Sequence, residues 1–309
     1  MSMSALILFK ALSDATRLRL MSVLSVYELS VNELVNLMSM GQSRISRHLK
    51  ILSDAGLLQF KRDGLWVFYS LPPEGAAHEF WIAIQGYVQN SPELEQTIKS
   101  DLALAAGIVR ERAVKSRQFF NSIAEDWDEI SKQILAGFDL PSRILALIPE
   151  NSVAVDLGCG TGYMLECLLS KSGHVIGVDG SPPMLELARR RLAPFGNQVS
   201  LRIGELEHLP LADREADVAL ISMVLHHLEN PLLAIKEIER ALKPGGSLII
   251  VDFLKHKNED MRSKYGDRWL GFETGHFETM LTAFKTVKTE IHRLENGLEI
   301  VIILARLQN

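Results

Sequence analysis

A glycine-rich turn lies between two acidic residues at positions where a sheet could bind a ligand. Asp156 lies in an apolar, strand-like run, and Gly158, Gly160 and Gly162 follow it. Glycine has no Cβ and adopts φ/ψ values closed to other residues, so a ligand can lie against the main chain there. Asp179 ends the next strand-like run, near the spacing at which a carboxylate binds ribose hydroxyls. The pattern predicts a nucleotide-type cofactor at the carboxyl ends of parallel strands.

The turn alone leaves two kinds of nucleotide fold to consider. A domain of the NAD type requires G-x-G-x-x-G. Here the third glycine comes one residue early, which disfavours that fold. Further motifs follow downstream: Ser181-Pro182-Pro183-Met184, Gly204-Glu205-Leu206, Asp217 to Ser222 with Leu225-His226-His227-Leu228, and Leu242 to Ser247.

With these motifs in this order, residues 119–309 resemble the class I S-adenosylmethionine (SAM)-dependent methyltransferases, of the UbiE-like type (methyltransferase type 11). The resemblance implies an α/β, Rossmann-like domain with a seven-stranded, mostly parallel sheet, SAM as cofactor and S-adenosylhomocysteine (SAH) as product. Asp179 would accept both ribose hydroxyls, and Glu205, where the family more often has Asp, would accept from the adenine amino group. The implied cofactor-binding set is Asp156, Gly158, Cys159, Gly160, Gly162, Asp179, Met184, Glu205, Leu206 and Ser222.

Methyl transfer from a sulfonium asks little of side chains, because proximity alone supplies ~7–11 kcal/mol. A base matters only if the acceptor is protonated. His226 and His227 follow the fourth strand and are catalytic candidates, although histidines in this stretch often serve structure. Phe120 and Trp127 are candidates for an aromatic cover or for the core. Weaker candidates for the acceptor pocket are His256, Arg262, Trp269 and His276.

Cysteine usage limits the chemistry further. Cys159 and Cys167 are the only cysteines, and no C-x-x-C zinc pair exists, so no metal site is expected. Cys159 is expected to be a small turn residue without a redox role. Arsenite as acceptor is disfavoured because arsenite methyltransferases use several thiols.

The N-terminal part has a different chemistry. Residues 1–72 carry eight Lys/Arg and five Asp/Glu, a net charge of +3 within a chain of net charge −5. That basic excess suggests an anionic partner for this part alone. In the segment around residues 44–52, Ile45, Leu49 and Leu52 share one helical face and should pack inward. Ser43 is expected to cap this helix. Cationic and short polar side chains would then point outward, as major-groove readout requires.

Residues 1–72 resemble the winged helix-turn-helix repressors of the ArsR/SmtB type. The matching stretches are Asp14 to Leu18, Gln42 to Lys50 and Arg62-Asp63-Gly64, where Asp63-Gly64 predicts the turn of a hairpin wing. The resemblance implies a double-stranded DNA operator and a homodimer. The Cys-x-Cys of the metal sensors is missing, so soft-metal sensing is not expected. The DNA-binding candidates are Gln42, Ser43, Arg44, Ser46, Arg47, His48, Lys61 and Arg62.

Residues 73–118 have a helical pattern, interrupted near residues 90–92. Their bulky apolar residues, which include Trp81, Tyr87 and Val88, are either a core stripe or a dimer surface, and the resemblance favours a dimer through residues 1–12 and 74–90. We therefore expect a DNA-binding domain at 1–72, a helical linker and dimerisation segment at 73–118, and a methyltransferase domain at 119–309. No apolar run reaches membrane-span length and no signal peptide is recognisable, so a cytoplasmic protein is expected.

Two functions fit this arrangement. The first is a DNA-binding regulator whose second domain methylates a small-molecule acceptor. The alternative is a non-catalytic transcription factor that senses SAM or SAH. The acceptor, the operator and the sign of regulation do not follow from the sequence.

Overall fold

The protein, seen in a computed structural model, is described at residues 5–63 and 66–308, without the side chain of residue 113. It forms two compact units, residues 1–113 and 114–309. The predicted three-part division, with residues 73–118 as a separate segment, stays a prediction. No helix within the described ranges is both long and apolar enough to cross a membrane.

The first unit is mostly helical. Its helices are α1 (Ala5–Leu12), α2 (Ala15–Leu24), α3 (Val31–Met38), α4 (Gln42–Asp54), α5 (Ala76–Gln89) and α6 (Glu95–Ile123), the last of which ends in the second unit. Its strands are β1 (Leu29–Ser30), β2 (Gln59–Asp63) and β3 (Trp66–Ser70), in the antiparallel order β1-β3-β2. The predicted wing hairpin is confirmed, whereas its turn residue Gly64 lies outside the described residues.

Local capping explains where the early helices begin. The Asp14 side chain accepts from the Arg17 N–H at the start of α2. Ser30 and Glu33 form a capping box at α3, which satisfies two backbone donors reciprocally. The expectation that Ser43 caps α4 is wrong. The cap is Gly41, whose carbonyl already accepts from the Ile45 N–H, so Ser43 lies inside the first turn.

The bulky residues of α5 divide between core and surface. Trp81 and Val88 are buried in the core of the first unit, which corrects their assignment to a dimer surface. Ile82 and Tyr87 are exposed, Tyr87 to 87%. On the neighbouring helix α1, Phe9 is exposed and contacts Phe80 at a ring-centroid distance of 5.4 Å. The exposed side chains are those that remain for a partner.

The second unit is built on one sheet. Its strands are β4 (Val153–Leu157), β5 (His174–Asp179), β6 (Val199–Ile203), β7 (Ala216–Ser222), β8 (Leu242–Phe253), β9 (Phe284–Arg293) and β10 (Glu299–Leu307). Its remaining helices are α7 (Trp127–Leu135), α8 (Leu140–Leu145), α9 (Tyr163–Leu168), α10 (Pro182–Leu192), α11 (Pro231–Ala241), α12 (Asp260–Tyr265) and α13 (Thr274–Met280).

The strand order is β6-β5-β4-β7-β8-β10-β9, parallel from β6 to β8 and antiparallel at β10. This confirms the predicted seven-stranded, mostly parallel sheet and its closing hairpin. The central strands are buried and therefore read as almost continuous apolar runs. From β4, the next strands β5 and β6 lie on one side, whereas β7 and β8 lie on the other, so the strand order reverses between β4 and β7. Open α/β sheets bind ligands at such a switch point, beyond the carboxyl ends of the strands.

Candidate functional site

The glycine turn follows β4 at this switch point. Gly158 has φ +76°, and a Cβ there would lie 2.6 Å from a methyl carbon of Val224, so a larger residue would be strained and would clash. Gly160 has φ +51°, and the indole Nε1 of Trp127 lies 3.2 Å from where its Cβ would stand. The turn therefore needs glycine at both positions, and its backbone approaches its neighbours closely.

Asp179 ends β5 beside this turn. Its two carboxylate oxygens accept from the Gly160 and Ser181 backbone N–H groups, each at 2.8 Å. Burial raises the pKa of Asp179, while these hydrogen bonds act in the opposite direction. An ionised carboxylate offers about four lone-pair sites. Each oxygen of Asp179 thus keeps acceptor capacity for a further donor, such as a hydroxyl.

Asp156 lies next to Asp179 and is almost completely buried. Burial, and then the charge of Asp179, raise the pKa of Asp156 to about 7. Two carboxylates in this environment favour a positively charged ligand, because a cation would stabilise their ionised forms.

The remaining predicted cofactor residues surround the same strand ends. Met184 is 2% exposed and Leu206 is 6% exposed. Glu205 is half-exposed and pairs with Arg117 of α6, a partner that the sequence did not suggest. Ser222, the last residue of β7, is half-buried. Burial raises the pKa of the Cys159 thiol well above its usual value, so this cysteine stays protonated.

The start of α7 is tied to the glycine turn by a polar cluster that sequence reasoning missed. The Thr161 hydroxyl donates to Asp128, and Arg191 donates to the Thr161 carbonyl at 3.1 Å and to Asp128. Trp127, one residue earlier, contacts Phe120 edge to face at 5.5 Å. Phe120 and Trp127 thus form an aromatic cover on one side of the turn. The ion pair between Asp128 and Arg191 holds the start of α7 in place.

A cavity opens beside this cover. Its walls combine aromatic and aliphatic side chains with the polar groups of Ser131, His226, His227 and Asp267. The full lining is Trp127, Ser131, Ile134, Leu135, Met223, His226, His227, Phe253, Met261, Tyr265 and Asp267. Trp127 both lines the cavity and lies against Gly160, so cavity and glycine turn are adjacent. Both catalytic candidates of the sequence line it.

His226 lies between two carboxylates. Its Nδ1 is 2.7 Å from Asp252 Oδ1, and its Nε2 is 3.7 Å from Asp267 Oδ1. Burial would lower the pKa of His226, but the two carboxylates raise it above its usual value. Asp252 interrupts the apolar strand β8, a signal that could have been used, whereas nothing in the sequence near Asp267 marks it.

His227 has the opposite electrostatics. Its Nδ1 is 3.2 Å from the Gly266 carbonyl oxygen, and its ring packs edge to face on Phe120 at 4.8 Å. Burial, followed by the neighbouring His226, lowers the pKa of His227 well below its usual value. His227 is therefore neutral and donates its Nδ1–H to the carbonyl.

None of the four weaker pocket candidates lines this cavity. Burial lowers the pKa of His256 to about 4, and Trp269 donates its indole N–H to the Leu228 carbonyl at 2.9 Å. The Nδ1 of His276 accepts from the Glu273 backbone N–H at the start of α13. Arg262 donates to the Arg268 carbonyl. These contacts are structural.

In the first unit, α4 has the expected inward and outward faces. Ile45, Leu49 and Leu52 are fully buried. Of the predicted DNA-binding residues, Gln42, Ser43, Arg44, Ser46 and Arg47 on α4 and Arg62 on β2 are exposed, and Lys61 is half-buried. His48 departs from the prediction that it points outward. Its side chain is 13% exposed and its Nδ1 lies 3.8 Å from Asp14 Oδ1, so it is turned toward the start of α2.

Two family models match the chain. Residues 14–59 match the model of bacterial regulatory proteins of the arsR family, and residues 155–250 match a methyltransferase domain. These matched ranges contain α4 and the glycine turn, respectively.

Relatives match parts of the chain. A demethylmenaquinone methyltransferase from Lactiplantibacillus plantarum is 34% identical over 142 residues, which cover 43% of this chain and 60% of the relative. An arsenite methyltransferase from Halobacterium salinarum is 34% identical over 121 residues, 37% of this chain and 30% of the relative. The biotin biosynthesis bifunctional protein BioHC from Teredinibacter turnerae is 29% identical over 178 residues, which cover 52% of this chain and 30% of the relative. The chain thus spans between about a third and three fifths of these relatives' lengths.

Solved structures share the fold. A SAM-dependent methyltransferase from Aquifex aeolicus superimposes with a TM-score of 0.50 at 22% identity, covering 60% of this chain and 98% of that one. A chain of the Haloferax volcanii complex between the Trm112 methyltransferase activator and a methyltransferase gives 0.54 at 18% identity, covering 62% and 98%.

Proposed function

The chain joins an ArsR-family helix-turn-helix domain to a methyltransferase domain of the SAM-dependent, Rossmann-like type, and from this premise we propose a regulator that is also an enzyme. It binds SAM, transfers the methyl group to a small-molecule acceptor and releases SAH. As a homodimer it binds an operator in double-stranded DNA, and it therefore works in the cytoplasm, where the genome lies.

The observation that carries the enzymatic half is the adjacency of three features. The glycine turn and the Asp179 carboxylate meet across a 2.8 Å hydrogen bond from Gly160, and Trp127, which lies against Gly160, also lines the neighbouring cavity. A cofactor on the turn would present its methyl group toward that cavity. Methyl transfer needs this positioning and the exclusion of water more than it needs reactive side chains.

The cavity walls support a particular class of acceptor. Aromatic and aliphatic side chains surround a few polar groups, which favours an acceptor with an apolar body and one polar nucleophilic atom. The free space of about 20 Å³ holds about one water, so the walls must move apart to admit such a molecule. Arsenite, named for the Halobacterium relative, is less well supported, because the chain has two cysteines and the thiol of one is buried with a raised pKa. His226 and His227 line the cavity and would contact the acceptor.

The DNA-binding half rests on the exposed face of α4. Arg44 and Arg47 project from it together with short polar side chains, which suits base edges and phosphates in a major groove. Palindromic operators require two such helices one DNA turn apart. Exposed apolar side chains on α1 and α5, including Phe9 and Tyr87, support dimerisation.

Two measurements test the proposal. Mass spectrometry of the purified protein should find co-purified SAM or SAH, and titration calorimetry should find one site per chain. Fluorescence anisotropy should find tight binding to fragments flanking the protein's own coding region and weaker binding to scrambled fragments. A protein that binds neither SAM nor SAH would contradict the enzymatic half, and equal affinity for all fragments would contradict the operator.

A further inference from the structure

Three side chains converge at the polar end of the cavity. Ligand atoms of His226, His227 and Asp267 all lie within 4.8 Å of one another, and all three residues line the cavity. Asp267 is 5% exposed, and neither of its carboxylate oxygens accepts a hydrogen bond. A buried carboxylate without hydrogen bonds is costly unless a cation compensates it. The cluster is therefore arranged to receive positive charge.

The groups behind the two histidines fix which nitrogen faces the cluster. His226 Nδ1 lies 2.7 Å from Asp252, and His227 Nδ1 lies 3.2 Å from the Gly266 carbonyl oxygen. A neutral imidazole that donates from Nδ1 has its lone pair on Nε2, so a metal at His226 must displace the second proton that Asp252 and Asp267 favour on this ring. Metal-binding histidines almost always donate their other N–H to a carboxylate or a backbone carbonyl. His226 has a carboxylate partner of this kind, and His227 has a backbone carbonyl partner.

We infer that His226, His227 and Asp267 bind one divalent transition-metal ion of the Zn²⁺ class at the end of the cavity. Imidazole nitrogens favour such ions over Mg²⁺ or Ca²⁺. Three protein ligands with one open position is the arrangement of catalytic rather than structural zinc sites. Zn–ligand bonds of about 2.0–2.2 Å place tetrahedral ligand atoms about 3.3–3.5 Å apart, so the three side chains draw together when the ion binds.

The three ligands come from separate places in the sequence, which is why cysteine counting did not suggest them. The role of the ion rests on the proposed function. All three proposed ligands line the cavity, so an acceptor oxygen or sulfur in the cavity would become the fourth ligand. A bound metal lowers the pKa of such a group and makes it nucleophilic at neutral pH.

Metal binding by the full chain, freed of any affinity tag and stripped with a chelator, tests the inference. Titration with Co²⁺ should give visible absorption that saturates at one ion per chain, and Zn²⁺ should displace it. Asp252→Asn removes the carboxylate behind His226 and should weaken Zn²⁺ binding roughly 10- to 100-fold, as is typical when a partner of a metal ligand is lost. His227→Gln and Asp267→Asn each remove a ligand and should weaken Zn²⁺ binding by at least as much. His208→Gln, at an exposed histidine outside the cluster, is the matched control and should bind as the wild type does.

SAH affinity of each variant serves as the check on folding and separates the two proposals. One bound ion that is lost in the cluster variants supports the site, even if no acceptor is ever methylated. No saturable binding, or binding that His227→Gln and Asp267→Asn leave unchanged while SAH still binds, overturns it and leaves the SAM site untouched.

Discussion

Removal of the Asp179 carboxylate probes the cofactor site directly. In the structure this carboxylate accepts from the Gly160 and Ser181 N–H groups and keeps lone pairs on both oxygens. We expect a bound cofactor to use those lone pairs for its ribose. Asp179→Ala removes a charged acceptor, and hydrogen bonds to charged groups contribute about 1.5–3 kcal/mol, so affinity for SAH should fall about 10- to 150-fold.

Titration calorimetry with SAH measures this loss. The variant also leaves two backbone N–H groups of the turn without their acceptor, so a control must separate binding from stability. Asp217→Ala is suitable, because Asp217 accepts from the Val153 N–H at 2.9 Å but lies at the amino end of β7, whereas the glycine turn lies at the carboxyl ends of the strands. It should lower the melting temperature without changing SAH affinity. Unchanged SAH affinity in a folded Asp179→Ala protein would refute the assignment.

Three further predictions concern other parts of the chain. Arg62→Ala should reduce the slope of log K against log salt concentration by ~0.9, because one phosphate contact is lost. Arg44→Ala should reduce the discrimination between bases at one base pair by ~1–3 kcal/mol. Anisotropy titrations in which both variants bind DNA as the wild type does would exclude Arg44 and Arg62 from the DNA interface. Tyr87→Glu, at the most exposed apolar position of α5, should turn a dimer into a monomer in light scattering, and a wild-type monomer at micromolar concentration would contradict the dimer. Because the pKa of Asp156 is raised to about 7 from about 4 in the unfolded chain, its protonated form favours the fold, and the free energy of unfolding should fall as the pH rises from about 4 through about 7. In thermal melts over this pH range, Asp156→Asn should lack this loss of stability, and a variant whose stability falls with pH in parallel with the wild type would contradict the prediction.

Features encoded in neighbouring residues could be predicted. The glycine turn, the acidic end of β5 and the inward face of α4 each depend on local backbone geometry or on one periodic pattern, and the structure has all three. The seven-stranded, mostly parallel sheet was implied by the resemblance that the motifs carry, and the structure has it.

Features that join distant residues could not be predicted. The His226–Asp252–Asp267 cluster depends on strand register and on a loop that folds back, and the pairing of Glu205 with Arg117 joins residues far apart in the sequence. The cap of α4 was misassigned because Ser43, two residues after the cap Gly41, is of a residue type that favours the cap position. The mixed burial of α5 likewise depends on which side of the helix the core of its unit occupies.

Transfer of label from methyl-labelled SAM tests the central claim most directly. Purified protein is incubated with labelled SAM and fractionated small metabolites of its host, and both the label and SAH are followed by mass spectrometry. One fraction should take up the label, with one SAH formed for each methyl group transferred, and Asp179→Ala should reduce the rate at limiting SAM. A protein that binds SAM tightly yet leaves the label on it in every fraction would contradict the account.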